Sequence, residues 1–229
     1  MPDTSDPNFH APSGPDFNVV LDFVTHVTMA RMNLLFSLLL FITPIKPETG
    51  HFTIYVNGQK MATEDYRIVP QRGGYVVEGR TVITSQAQSA DLKSRMELDE
   101  ALLPKSYEFE SRGNTVRLKV EAPLSELEYT SQGKKQSDTV RFPKDGVIVD
   151  SNFFHHYVLL LYRVGAAQGG STISAFVPQA LELGTMTIRN LGNHTYEMDS
   201  GEVKVKATTD LDGKLLRLEV PAAKVVVER

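Results

Sequence analysis

The adjacent histidines His155 and His156 are the first residues here that could hold a metal or act as a catalytic base. Consecutive residues on a helix point about 100° apart, so two such rings do not converge on one ion, and the useful spacings are i, i+3 and i+4. No Asp, Glu or His stands at those offsets in the surrounding stretch, and the pair reads as core histidines satisfied by backbone carbonyls. His194 falls in Gly192-Asn193-His194, a hairpin-turn pattern that leaves it exposed. Serines are present, but no G-x-S-x-G elbow. Gly73-Gly74 and Gly169-Gly170 lack the spacing of a phosphate loop and read as turns. Glu97/Asp99/Glu100 and Glu126/Glu128 are carboxylates at strand spacing on a polar surface, the ordinary place for them. Asn193-His194-Thr195 matches a glycosylation acceptor, a match that a bacterial setting would make accidental. The expectation is a protein with no catalytic, cofactor or metal site, hence no enzyme.

Composition narrows the classes further. With 229 residues and 41% hydrophobic content, the chain has enough apolar material for a substantial core. Its 24 basic and 28 acidic residues give a net charge of -4 with no like-charged block, so no electrostatic footprint for nucleic acid is expected. Zero cysteines exclude disulfides, thiolate ligands, a cysteine nucleophile and a lipid-bearing cysteine.

The segment Leu34 to Ile42, LLFSLLLFI, is apolar and preceded by Arg31, in the order of a secretory signal. It is about half the roughly 20 apolar residues that a spanning helix needs. A buried core helix is the alternative, and an uncleaved anchor remains open because Thr43-Pro44-Ile45-Lys46-Pro47 offers no small-x-small cleavage pattern. Residues 1–28 read as a disordered tail or an extension upstream of the true start, with Met29 or Met32 as candidate initiators, 29–49 as signal sequence or anchor, and 50–229 as one domain. An exported, periplasmic or cell-envelope location follows as an expectation.

From Gly50 onward the hydrophobic period is two, the period of a strand. Phe52, Ile54 and Val56 alternate with polar neighbours before an Asn57-Gly58 turn, and Tyr66 and Ile68 share a face of the return strand, which Pro70 and Gly73-Gly74 should end. Tyr107 and Phe109 alternate with Glu108 and Glu110, and Val116, Leu118 and Val120 with Arg117, Lys119 and Glu121, across a turn at Gly113-Asn114. One wet and one buried face is the mark of an antiparallel sheet. The pattern returns at Ile173/Ala175/Val177, Met186/Ile188, Val203/Val205/Ala207, Leu216/Leu218/Val220 and Val225/Val227.

Asn152 to Val164, NFFHHYVLLLYRV, breaks that period and predicts a helix that is apolar nearly all round, with Asp150 or Ser151 as N-cap and Gly165 as its stop. A long buried strand is the alternative. The predicted fold is mainly β: a curved antiparallel sheet, an open or half barrel, wrapped around one central apolar helix. One helix need not fill such a concave face to the usual density of about 0.75, and the space left is a candidate apolar ligand pocket lined by Phe52, Tyr66, Tyr107, Phe109, Phe153, Tyr157 and Leu160. An ordinary filled core is the alternative.

The order of these elements carries a resemblance. G-H-F-T-I-Y-V-N-G-Q-K from Gly50, Glu64-Asp65-Tyr66-Arg67-Ile68, Leu103-Pro104-x-x-Tyr107 and the Asp150-x-Asn152 step into an apolar helix resemble the bacterial envelope proteins of the domain-of-unknown-function 3108 type. Those are similar in turn to the lipoprotein-carrier fold. The resemblance implies a sheet around a helix and carries no catalytic residue. The functional expectation is a non-catalytic envelope protein that binds a lipid or other apolar ligand inside the sheet. The alternative is a structural or interaction module of the envelope, with a protein partner or membrane proximity and no small-molecule ligand.

Overall fold

The computed structural model describes residues 45–84, 89–164, 170–178 and 180–229. The tail expected over 1–28 and the apolar run Leu34 to Ile42 lie outside them. One meander comprises β1 (Glu48–Val56), β2 (Gln59–Gln71), β3 (Gly74–Thr84), β4 (Ser89–Leu98), β5 (Pro104–Ser111), β6 (Asn114–Lys119), β7 (Leu124–Ser131) and β8 (Lys134–Arg141). After the short β9 (Val147–Ile148) and the helix α1 (His155–Val164) come β10 (Ser171–Val177), β11 (Glu182–Gly192), β12 (Thr195–Asp199), β13 (Lys204–Thr209), β14 (Leu215–Val220) and β15 (Val225–Glu228).

All of these strands join one 15-stranded sheet in the order β8 to β1, then β15 to β9. Two meanders thus meet where β1 pairs with β15, from Thr53↔Glu228 to Val56↔Val225. Every neighbouring pair is antiparallel except β9 with β10. The sheet is open, ending at β8 and β9, and is not closed into a barrel.

Turn chemistry sets much of the register. Asn57 and Gly58 both take positive φ, as do Arg112 and Gly113 and the pair Asn193 and His194, the backbone that a two-residue hairpin with the right twist demands. Cross-strand charges line the outer face, with Arg80 to Asp91 at 2.7 Å and Arg117 to Glu108 at 2.7 Å. Such exposed pairs are screened by solvent and serve mainly to hold register.

Four local expectations are corrected. Pro70 does not end β2; it pairs with Tyr75 and the strand runs on to Gln71. Leu216 faces outward, 42% exposed, and Leu215 takes the buried place, because Leu216 is the extra residue of a bulge in β14: Thr208 pairs with Arg217 and Thr209 with Leu215. The first strand starts at Glu48, inside the segment expected to be a leader, and Ile45 is already buried with its N–H donated to the Tyr75 hydroxyl. The helix begins at His155, and neither Asp150 nor Ser151 caps its first turn.

Candidate functional site

Alternation places two carboxylates where apolar side chains belong. On β2, Ala62, Glu64, Tyr66 and Ile68 share the buried side, and Glu64 is 0% exposed. A buried carboxylate is costly unless donors surround it. Glu64 finds them at the start of α1: the Phe154 N–H donates to Oε2 at 2.8 Å and the His155 N–H to Oε1 at 2.8 Å. His155 Nδ1 adds a third contact to Oε1 at 2.9 Å, and the Thr81 hydroxyl lies 3.3 Å from Oε2. The cap of the helix therefore comes from a strand 91 residues earlier. Gly79 makes room, since a Cβ there would stand 2.2 Å from His155 Cε1.

His156 turns another way, its ring 83° from that of His155 at a centroid distance of 4.6 Å. Its Nδ1 accepts the Asp150 N–H at 3.0 Å, so the neutral ring carries its proton on Nε2. Burial, followed by the neighbouring His155, holds His156 well below the ordinary imidazole range. Asp150, also fully buried, accepts from Tyr107 and from the Asn152 N–H at 2.8 Å, which shapes the turn before the helix. The His155 ring thus meets a carboxylate and the His156 ring a backbone N–H, and the described residues contain no group of three metal-ligating side chains.

At the other end of α1, Glu48 accepts from Tyr66 at 2.6 Å, from Tyr162, and from Arg229 at 3.0 Å. Burial, then the hydrogen bond to Glu48, raises both phenols, so they act as donors. This cluster ties β1, β2, α1 and Arg229 together and is fully occupied with doing so.

The space that a ligand could enter lies elsewhere. An apolar cavity of about 480 Å³ opens between the start of α1 and the second meander, lined by Phe154, Tyr157, Ala175, Met186, Val205 and Val225 among others. Burial pushes the Tyr157 phenol up to about 12, although part of the ring faces the cavity. Leu181 and Leu183, 48% and 42% exposed, stand at the opening. Of the residues expected to line a pocket, Tyr157 alone lines this one. Phe52, Tyr66, Tyr107, Phe153 and Leu160 are buried in the packed core, and Phe109 packs against it. The Phe52 and Tyr66 rings stack at 5.2 Å. A larger concavity of about 990 Å³ lies on the outer face among paired charges such as Arg67, Glu78 and Arg80. A mostly apolar cavity with few polar groups is the better ligand site of the two.

Sequence reasoning overlooked Glu48, Glu64 and the lining from β10 to β15. The signal for both carboxylates was parity: each has the same parity as the buried residues of its strand. No comparable signal existed for the lining, since cavity and core draw on the same apolar residues.

No family model and no curated protein matches the chain. Among solved structures, a DUF1089 family protein from Pseudomonas aeruginosa is similar at 14% identity, with a TM-score of 0.44, over 84% of this chain and 98% of that one. The resemblance to the domain-of-unknown-function 3108 proteins and the lipoprotein carriers is thereby corrected. Neither is matched, and the similar structure belongs to another family.

Proposed function

We propose that the chain is a non-catalytic binding protein that takes an apolar ligand into the cavity between α1 and β10–β15. The observation that carries this reading is the cavity itself. Its volume of about 480 Å³ falls within the roughly 300–1,000 Å³ typical of small-molecule sites, and its walls are chiefly Val, Ala, Phe, Tyr and Met. The finer picture, a sheet curved around the helix, is supported by the burial of His155, His156, Val158, Leu159, Leu160, Leu161 and Val164. The non-catalytic part is supported by the histidines and carboxylates nearest the helix, each already engaged in holding backbone or hydroxyl groups. An envelope location rests on the apolar run Leu34 to Ile42 alone, and N-terminal sequencing of the natively expressed protein tests it.

Gly184 offers the cleanest test. It lines the cavity, and a Cβ built there meets nothing within 4 Å. Gly184→Phe should fill the space with little strain, changing stability by less than about 1 kcal/mol. Uptake of a neutral naphthylamine dye, followed by fluorescence, should fall at least about tenfold in the variant. Uptake equal to that of the wild type places any ligand outside this cavity.

A second reading is favoured by one sheet edge. The strand β9 pairs with β10 only at Ala175 and Phe176, which leaves Ser171 to Ser174 without an outer neighbour among the described residues. A partner strand could add there through main-chain hydrogen bonds. The opposite edge, β8, begins with Lys134 and Lys135, the kind of charge that discourages such pairing. Wild-type protein that takes up no dye would leave strand addition as the better account.

A further inference from the structure

The cavity is apolar in its walls but not neutral at its opening. Glu182, half-buried at the start of β11, and Glu202, exposed in the turn before β13, are its only charged lining residues among the described residues. No Lys, Arg or His among the described residues lines it. The remaining polar lining, Ser151, Thr185, Ser200 and Tyr157, is neutral and serves head groups of any charge. Neither glutamate has a hydrogen bond or ion pair among the described residues, in contrast to the outer-face glutamates such as Glu78 and Glu108. The cations adjacent to lining residues in sequence do not offset them. Lys204 and Lys206 project on the exposed side of β13, Lys204 pairing with Asp199 at 3.4 Å, and Lys224 is exposed outside the lining.

A head group held at this opening would sit beside two unpaired carboxylates with low-dielectric protein behind it. There a carboxylate or phosphate is repelled and an ammonium attracted, more strongly than in open water. An apolar tail would meanwhile be indifferent to the sign of its head. On the reading that this cavity binds a ligand, we infer that its occupant is an amphiphile with an apolar chain and a cationic, amine-type head group rather than an anionic fatty acid or phospholipid. The tail lies against Phe154, Met186, Val205 and Val225, and the head stands between Glu182 and Glu202.

The test uses three probes with the same twelve-carbon tail, each below its micelle concentration: dodecyltrimethylammonium, dodecyl maltoside and dodecyl sulfate. Each competes with the neutral naphthylamine dye for the full chain. The cation should displace the dye at a concentration roughly tenfold or more below that of the anion, with the maltoside between them. That ratio should shrink when salt rises from about 0.01 M to about 1 M, where the Debye length falls to roughly 3 Å. In a Glu182→Gln/Glu202→Gln double variant the ratio should collapse toward unity, and Glu202→Lys should move it toward the anion. A dye that binds, with equal displacement by cation and anion or with the anion preferred, overturns this inference and leaves the cavity reading standing. A wild-type chain that takes up no dye removes the cavity reading and this inference with it.

Discussion

His156 is a neutral imidazole enclosed on all sides, and that state has a pH consequence with a definite sign. The unfolded chain binds a proton on this residue near pH 6.5, whereas burial and His155 keep the folded ring unprotonated well below that. Below about pH 6.5 the unfolded state therefore holds the extra proton, and stability falls as pH falls, by at most about 1.4 kcal/mol per pH unit from this group. His156→Asn keeps an acceptor for the Asp150 N–H but removes the titration, so its loss of stability between pH 7 and pH 5 should be smaller than that of the wild type. Urea midpoints at both pH values measure it, and equal losses would mean that His156 is protonated in the fold. The divergence of the two rings was legible in the sequence, because adjacent helical side chains point about 100° apart. The sequence did not reveal their partners, since Glu64 reaches His155 from a strand 91 residues earlier and the Asp150 N–H meets His156 through the turn before the helix rather than at a helical spacing.

The helix shows how one element depends on another. Its first turn exposes backbone N–H groups, and the segment before it has its own polar side chains, yet Asp150 is engaged with Asn152 and Tyr107 while Glu64 of β2 does the capping. Glu64→Gln is nearly the same size but replaces one acceptor oxygen with an amide that meets donors. It should destabilise the fold by about 3–5 kcal/mol, in the manner of a broken buried pair. Chemical denaturation reads this directly; a change under about 1 kcal/mol would show that the helix start is held by apolar packing alone. The existence of the helix and of most strands was legible, because periods of 3.6 and 2 are local properties. The facing of Leu216 was not, since Leu216 is the extra residue of a bulge that only the pairing of β14 with Thr208 and Thr209 reveals.

Neither meander is closed by itself, and the molecule is joined at the seam between β1 and β15. Local periodicity says which residues form strands but not that the first strand neighbours the last, so this seam was invisible in the sequence. Its chemistry centres on Glu48 and Arg229, 181 residues apart: the guanidinium donates to Glu48 at 3.0 Å and to the Thr49 carbonyl at 3.0 Å. Tyr66 and Tyr162 donate to the same carboxylate, so one side chain holds β1, β2, α1 and the residue after β15. A chain shortened to begin at Ile45 keeps every described contact and should unfold in one cooperative transition. A chain that begins at Gly50 loses Ile45, the pairs Glu48↔Ile68 and Thr49↔Arg67, and the carboxylate beneath Arg229. Its guanidinium and two phenols are then left without their acceptor in a largely buried setting, at a cost of about 3–5 kcal/mol. Against a typical total stability of about 5–15 kcal/mol, the difference between the two chains should be plain in denaturant midpoints. Equal midpoints would mean that the seam is held by Ile54, Val56, Val225 and Val227 alone, and that the Glu48 cluster contributes nothing to joining the two meanders.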